Sequence, residues 1–293
     1  MRDQYSISEL CSALDVSRSG YHAARQRPPS PRTEHDRRLL VAVRDIHAHR
    51  HTRCYGSPRM TDELRSRGLA CSPNRVARIM RQAGIRVRPR RAFRPRTTRQ
   101  DPAAKPAPNL LKDTAAPTAP GEQLVSDITY IPTREGWLYL VVVIDLYSRA
   151  VLGWKTSASL HTDMVLAAIT QAMASGWILP GAIFHSDRGC QYSAAATRQL
   201  LQHFELRQSM SAKGYCYNNA FAESAFAESA FATLKAELPG DGRPFQSHAQ
   251  ANLTLFDYLE TFYNRRRRHS SLGGKSPLAC LNQHFDNHPA SLN

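Results

Sequence analysis

The stretch QLVSDITYI, residues 123–131, alternates apolar and polar side chains as a half-buried strand does, and it carries one carboxylate, Asp127, at its middle. A charge in an otherwise apolar strand is costly unless it is paired or bound to a cation. One such aspartate is most often a structural hydrogen-bond acceptor. A second strand-like run, AIFHSD (182–187), ends in Asp187. Further on, the alanine-rich run NNAFAESAFAESAFATLKAEL (218–238) holds Glu223, Glu228 and Glu237 and meets no Gly or Pro before Pro239. Its composition predicts a helix capped by Asn218 or Asn219. Two strand aspartates and a helical glutamate suggest a cluster that holds hard divalent cations, which take oxygen ligands.

The surrounding pattern predicts the scaffold. GWLYLVVVIDLYSR (136–149) reads as a buried β-branched strand and AVLGWKTS (150–157) as its hairpin partner, which makes an antiparallel meander with the first strand. Helices are expected over 161–175 and 193–204, a fifth strand over 206–210, and a last helix over 246–264. The order βββαβαβαα predicts an α/β fold with helices on a five-stranded mixed sheet, spanning 121–282.

Charge divides the chain. Residues 1–112 hold 25 Lys/Arg against 9 Asp/Glu, and residues 113–293 hold 14 against 15. Arginine outnumbers lysine 23 to 2 in the first portion, and arginine is the residue suited to bidentate phosphate contact. A basic segment of this kind implies a polyanionic partner, double-stranded DNA first. Residues 6–24 read as a small helix-turn-helix within 1–26, with Ser8 as cap, and RPPSPRT (27–33) as a helix-breaking linker. Residues 34–90 predict three further helices. The third opens at Ser72-Pro73, buries Val76, Ile79 and Met80, and projects Arg75, Arg78 and Arg81, as a recognition helix does. Residues 91–120 read as a linker, basic and then Pro/Ala-rich, the latter half extended without a core.

At this point the residues carry a resemblance. SDITYI (126–131), VVVIDLYSR (141–149), HSDRGCQY (185–192), SMSAKGYCYNNA (209–220), AESAFATLKAEL (227–238) and YNRRRRHSSLGGKSP (263–277) are similar to the integrase-type core of IS3-family insertion-sequence transposases, the second-frame product. YGSPRM (55–60) and SPNRVARIMRQAGI (72–85) resemble the helix-turn-helix segment of the same family. The resemblance implies an RNase H-like fold and a triad of two aspartates and a glutamate. It further implies Mg²⁺ (Mn²⁺ as a substitute), 3′-end cleavage and strand transfer at insertion-sequence ends, a multimer on DNA, and a fusion with an upstream-frame product. Asp127 and Asp187 map onto the first two acids. Lys235 maps onto a contact with a DNA end.

The third acid is set by counting. AFAES occurs at 220–224 and again at 225–229. Counted forward from Asn219-Ala220 the glutamate is Glu223, with 35 residues between it and Asp187; counted back from Leu234-Lys235 it is Glu228. Asn218 stands where the family has Asp. In the Glu228 frame Phe231, Leu234 and Leu238 keep a buried helical face. In the Glu223 frame two of those contacts become Ser229 and Thr233, a loss on the order of several kcal/mol. Five extra residues in the preceding loop cost about 1 kcal/mol or less. Glu228 is therefore favoured, with Glu223 as the alternative. Five residues turn a helix by about 140°, so only one of the two faces the aspartates.

Asp145, His185, Asn264, Arg267 and His269 are secondary candidates: the first two for the acid site, the last three for the DNA backbone. The competing class is a DNA-binding remnant without activity; a third is a general nuclease that cuts without joining. The six cysteines are scattered without zinc spacing. No apolar run spans a bilayer, and the N-terminus lacks the apolar core of a signal peptide. No membrane partner and a cytoplasmic, nucleoid-associated location are expected.

Overall fold

The computed structural model describes residues 5–87, 106–211, 237 and 244–287, and of Asp113 the backbone alone. Ser6 caps α1 (Ile7–Ala13) in a reciprocal box with Glu9, and Ser17 caps α2 (Arg18–Gln26). Ser6 rather than Ser8 takes the cap because only it has a glutamate three residues on. Helix α3 (Pro31–Ala48) begins inside the stretch expected to break helices: Ser30 caps it, and Pro31 fills the first position, where a missing N–H costs nothing. Helices α4 (Ser57–Ser66) and α5 (Pro73–Gln82) follow, with Ser72 capping α5. Leu39, Val43 and Ile46 of α3 meet Met60, Leu64, Val76, Ile79 and Met80 in a buried cluster.

The sheet has the order β3-β2-β1-β4-β5. Strands β1 (Gln123–Thr133), β2 (Gly136–Asp145) and β3 (Val151–Ser157) form the expected meander, while β4 (Ile183–Ser186) and β5 (Arg207–Met210) add in parallel. Strand β2 is apolar at successive positions because both its faces are covered. Val141 and Val143 join one cluster with Met164, Val165, Ala168 and Ile169 of α6 (Thr162–Ala174). Leu138, Leu140, Val142 and Ile144 join the other. Gly153 is required by this packing: a Cβ there would lie 2.1 Å from the Ala168 carbonyl oxygen. A one-turn helix α7 (Cys190–Ser193) and α8 (Ala195–His203) lead into β5.

The Pro/Ala-rich half of the expected linker is held against the sheet rather than extended without a core. Met210 N donates to Pro108 O at 3.2 Å, Leu110 N donates to Ser209 Oγ at 2.9 Å, and Leu111 is buried. Leu110 and Leu111 supply the apolar area that Pro and Ala lack. The basic stretch from 88 to 100 and the first five residues of the Pro/Ala-rich half, 101–105, lie outside the described residues.

The C-terminal part is a helix α9 (His248–Phe256) that widens into a π-helical segment (Asp257–Tyr263), then α10 (Pro277–Asn287), which the pattern did not predict. Asn264 ties this part to the edge strand: its amide donates to Val151 O and accepts from Val151 N, both at 2.9 Å. Ala251, Leu255, Tyr258, Leu259, Phe262 and Tyr263 share one apolar cluster with α3–α5. His51 stacks on Phe262 with ring centroids 4.8 Å apart, and Arg268 donates to Glu63 at 2.9 Å. Among the described residues no helix is long and apolar enough to cross a membrane.

Asp145 is a structural acceptor. It is wholly buried and accepts from Gly121 N (2.9 Å), Ser148 N (2.8 Å) and Ser148 Oγ (2.5 Å), which fixes the turn into β3. Asp145→Ala strips three buried donors of their acceptor at ~1–3 kcal/mol each before relaxation, and a net destabilisation of about 3 kcal/mol is expected in urea unfolding.

Candidate active site

The two aspartates lie at the same end of neighbouring parallel strands. In the parallel ladder Gln123, Leu124 and Val125 of β1 stand beside Ile183, Phe184 and His185 of β4. The ladder stops two residues short of each aspartate, so Asp127 and Asp187 both lie beyond its same end. Alternation along β1 puts Asp127 on the face that Val125 presents. Strands β1 and β4 lie at the centre of the sheet, and β4 ends at Ser186, so Asp187 opens the loop at its carboxyl end.

Backbone amides orient both carboxylates. Asp127 Oδ1 accepts from Ile128 N at 2.8 Å, and Asp187 Oδ1 accepts from Gly189 N at 2.9 Å. Gly189 leaves room for the second turn: a Cβ would stand 3.0 Å from Asp187 Oδ1 and 3.3 Å from Gln191 Oε1, close enough to displace those side-chain ends by a few tenths of an ångström. Arg188 braces the loop by donating to Ser211 O at 2.7 Å. Behind the acids, the buried Tyr192 hydroxyl pairs with Ser126 Oγ at 2.8 Å. Burial pushes the Tyr192 phenol well up, and the negative charges of Asp127 and Asp187 push it further. Both carboxylates thus bear on one hydroxyl. Among the described residues no group of three or more His, Cys, Asp or Glu forms a metal cluster. Glu223, Glu228 and Lys235 lie outside the described residues.

His185 is a packed histidine. It is buried, its Nδ1 lies 2.9 Å from Ser209 Oγ, and burial lowers its pKa to about 4.

The expected DNA contacts at Arg267 and His269 are corrected by burial. Arg267 is 3% exposed and forks onto Glu237, Nε to Oε2 and Nη2 to Oε1, both at 2.7 Å. His269 is 8% exposed beside Arg267, and burial followed by that charge drives its pKa down to about 2. Tyr258 Oη (2.6 Å) and Arg59 Nη1 of α4 (2.8 Å) also donate to Glu237. Sequence reasoning missed this cluster. The signal available was Arg267 four residues after one buried-type aromatic, Tyr263, within a run otherwise read as surface.

On α5, the part-exposed Arg75 and Arg78 both pair with one acid of α3. Arg75 Nε donates to Asp36 Oδ1 at 2.6 Å and Arg78 Nη2 to Asp36 Oδ2 at 2.5 Å, and these bonds hold Asp36 below the usual carboxylate range. Arg81 is exposed.

Three family models match the chain: an HTH-like domain over residues 34–93 and two integrase core domain models over 117–216 and 205–277. The fold and these matches define a DNA-binding protein with an integrase core. A curated insertion element IS600 31 kDa protein of Shigella sonnei is 38% identical over 270 residues, covering 92% of this chain and 96% of the relative. The transposase InsF of insertion sequence IS3A from Escherichia coli K12 is 39% identical over 283 residues, 96% of each. The chain belongs to the IS3 family of insertion-sequence transposases. Among solved structures, the catalytic core domain of BIV integrase aligns with a TM-score of 0.41 at 18% identity, over 59% of this chain and 99% of that one.

Arg267 has an expected outcome that separates its two roles. Arg267→Met leaves Glu237 buried with half its partners and is expected to destabilise the fold by about 3–5 kcal/mol. A DNA-backbone role would instead leave the unfolding midpoint unchanged and weaken DNA affinity. Burial alone would raise the Glu237 pKa, but the hydrogen bonds and charge of Arg267, with Tyr258 and Arg59, hold it below the usual range. A depressed carboxylate stabilises the fold above its unfolded pKa, about 4.3, and this contribution is lost as pH falls through the folded value. Acid unfolding of Glu237→Gln is therefore expected to be shallower below that pH than that of the parent chain.

Proposed function

We propose that this chain cuts and joins DNA at insertion-sequence ends, with Asp127, Asp187 and Glu228 as its acid triad. The observation that supports this reading is that Asp127 and Asp187 both lie just past the same end of the β1–β4 ladder. Two half-buried carboxylates, each oriented by a backbone amide, suit a hard divalent cation. Asp127 and Asp187 would hold Mg²⁺, or Mn²⁺ in its place, with Glu228 as the further ligand and Glu223 as the alternative. When bound, the ions supply activation of the attacking water or 3′-hydroxyl and neutralise charge on the leaving oxygen. The chain's own residues position that chemistry: amide-held acids at the sheet centre, and a basic N-terminal portion that grips the duplex. On α5 Arg81 is the exposed basic contact, while Arg75 and Arg78 brace the helix through Asp36. Lys235 is proposed to contact the cut end. A multimer on paired ends, a fusion with an upstream-frame product and a cytoplasmic, nucleoid-associated location complete the proposal.

A second reading is favoured by one observation, the AFAES repeat at 220–229. If the repeat displaces the glutamate, the chain is a DNA-binding remnant. Mg²⁺-dependent cleavage and strand transfer on cognate ends decides between them. Asp127→Asn, Asp187→Asn and Glu228→Gln are each expected to lower the rate by roughly a thousandfold or more, while Glu223→Gln retains activity. DNA binding without cleavage by the parent chain would establish the remnant. Loss in Glu223→Gln alone would move the third acid, and cleavage of unrelated DNA without joining would indicate a general nuclease.

A further inference from the structure

The β1–β4 ladder ends at Val125 and His185, before either aspartate is reached. A hydrogen bond between two hydroxyls joins the two segments beyond that end. The Tyr192 hydroxyl of α7 lies 2.8 Å from Ser126 Oγ of β1. Tyr192 is 1% exposed and Ser126 is 3% exposed. Each stands close in sequence to one acid: Ser126 directly precedes Asp127, and Tyr192 follows Asp187 by five residues.

The turn from Asp187 to Tyr192 is closed by its own bonds. Asp187 Oδ1 accepts from Gly189 N at 2.9 Å, and Gly189 O accepts from Tyr192 N at 3.0 Å. The Tyr192 ring is fixed as well. It packs in the apolar cluster with Leu124, Met164, Phe184 and Leu201, its centroid 6.4 Å from that of Phe184. Its carbonyl oxygen accepts from Gln208 Nε2 at 2.8 Å. A hydroxyl on so rigid an arm holds its partner at a set place. Burial raises the Tyr192 pKa most, and the charges of Asp127 and Asp187 add to the rise, so both carboxylates act on this one group.

Packing alone does not call for the hydroxyls. Phenylalanine would fill the same apolar slot, and replacing both partners of a buried hydrogen bond by apolar groups of like shape is nearly neutral for stability. What the pair supplies is distance and direction, because two hydroxyls bond only over a narrow range of separation. Groups that orient metal ligands from behind act in this way, and their removal typically lowers metal affinity about ten- to a hundredfold.

We infer that Tyr192 is a positioning residue: through its hydrogen bond to Ser126 it holds the loop that carries Asp187 at a fixed place against β1, next to Asp127, and so sets the affinity of the two acids for a divalent cation. This rests on the proposed cation site, so one arm of the test needs no cation. In the metal-free full chain, hydrogen–deuterium exchange across residues 187–193, scaled to that of α6, is expected to accelerate at least fivefold in Tyr192→Phe. Unchanged exchange there overturns the proposal whether or not the chain binds cations. The second arm is Mn²⁺ binding to the full chain, read from the electron paramagnetic resonance of the free ion at a temperature where every variant is folded. Binding that depends on Asp187 is expected to weaken about tenfold in Tyr192→Phe and in Ser126→Ala. The double variant is expected to lose no more than either single one, since both changes remove the same bond. Parent-like Mn²⁺ affinity with a lowered unfolding midpoint would reduce the pair to a structural contact, and additive losses in the double variant would mean two unrelated lesions; either result sinks the positioning role. In a chain that cuts DNA, the Mg²⁺ concentration for half-maximal cleavage is expected to rise by a similar factor in Tyr192→Phe with DNA affinity unchanged. Mn²⁺ binding by the parent chain that Asp187→Asn leaves unaltered refutes the cation site itself, and the exchange arm then judges the tether alone.

Discussion

The parallel pairing of β1 with β4 is the constraint on which the site depends. It is short, three residue pairs, and it joins segments about sixty positions apart in the chain. Nothing local enforces it. The meander of β1, β2 and β3 and the helix α6 supply apolar area that offsets so long a loop closure. Once β4 is seated, Val125 and His185 are neighbours, and Asp127 and Asp187 lie two residues past that pair. Each carboxylate is held locally, by the amides of Ile128 and Gly189.

Most of this was legible in the sequence. The β-branched run at 138–144 announces a strand covered on both sides, and the lone aspartates stand out against their apolar neighbours. The start of α5 at Ser72-Pro73 was legible, whereas that of α3 at Ser30-Pro31 read as a break. Pairing order was not legible, because the parallel partners of β1 and β5 are set by contacts distant in sequence. Charge was the least legible quantity. Four arginines in a row read as surface, yet Arg267 is interior, since its partner Glu237 is thirty residues away and invisible to any local window. The pairing of Arg75 and Arg78 with Asp36, some forty residues upstream, was hidden for the same reason. The Pro/Ala stretch misled in the opposite direction, since two leucines were enough to hold it to the sheet.

A net charge of +15 is therefore not a measure of the charge offered to DNA. Part of it is spent inside, bracing α3 to α5 and the N-terminal helices to the C-terminal part. Surface arginines in such a chain divide into those that hold the reading elements in place and those that do the reading.

The amide of Asn264 has a consequence of another kind. By matching both polar groups of Val151 it imitates one residue of a sixth strand at the start of β3, the outermost strand of the meander. An open strand edge is a template for indiscriminate stacking of chains. One side-chain amide blunts that edge at the point where β3 begins, and so helps keep a sticky, Val-rich sheet from nucleating aggregates.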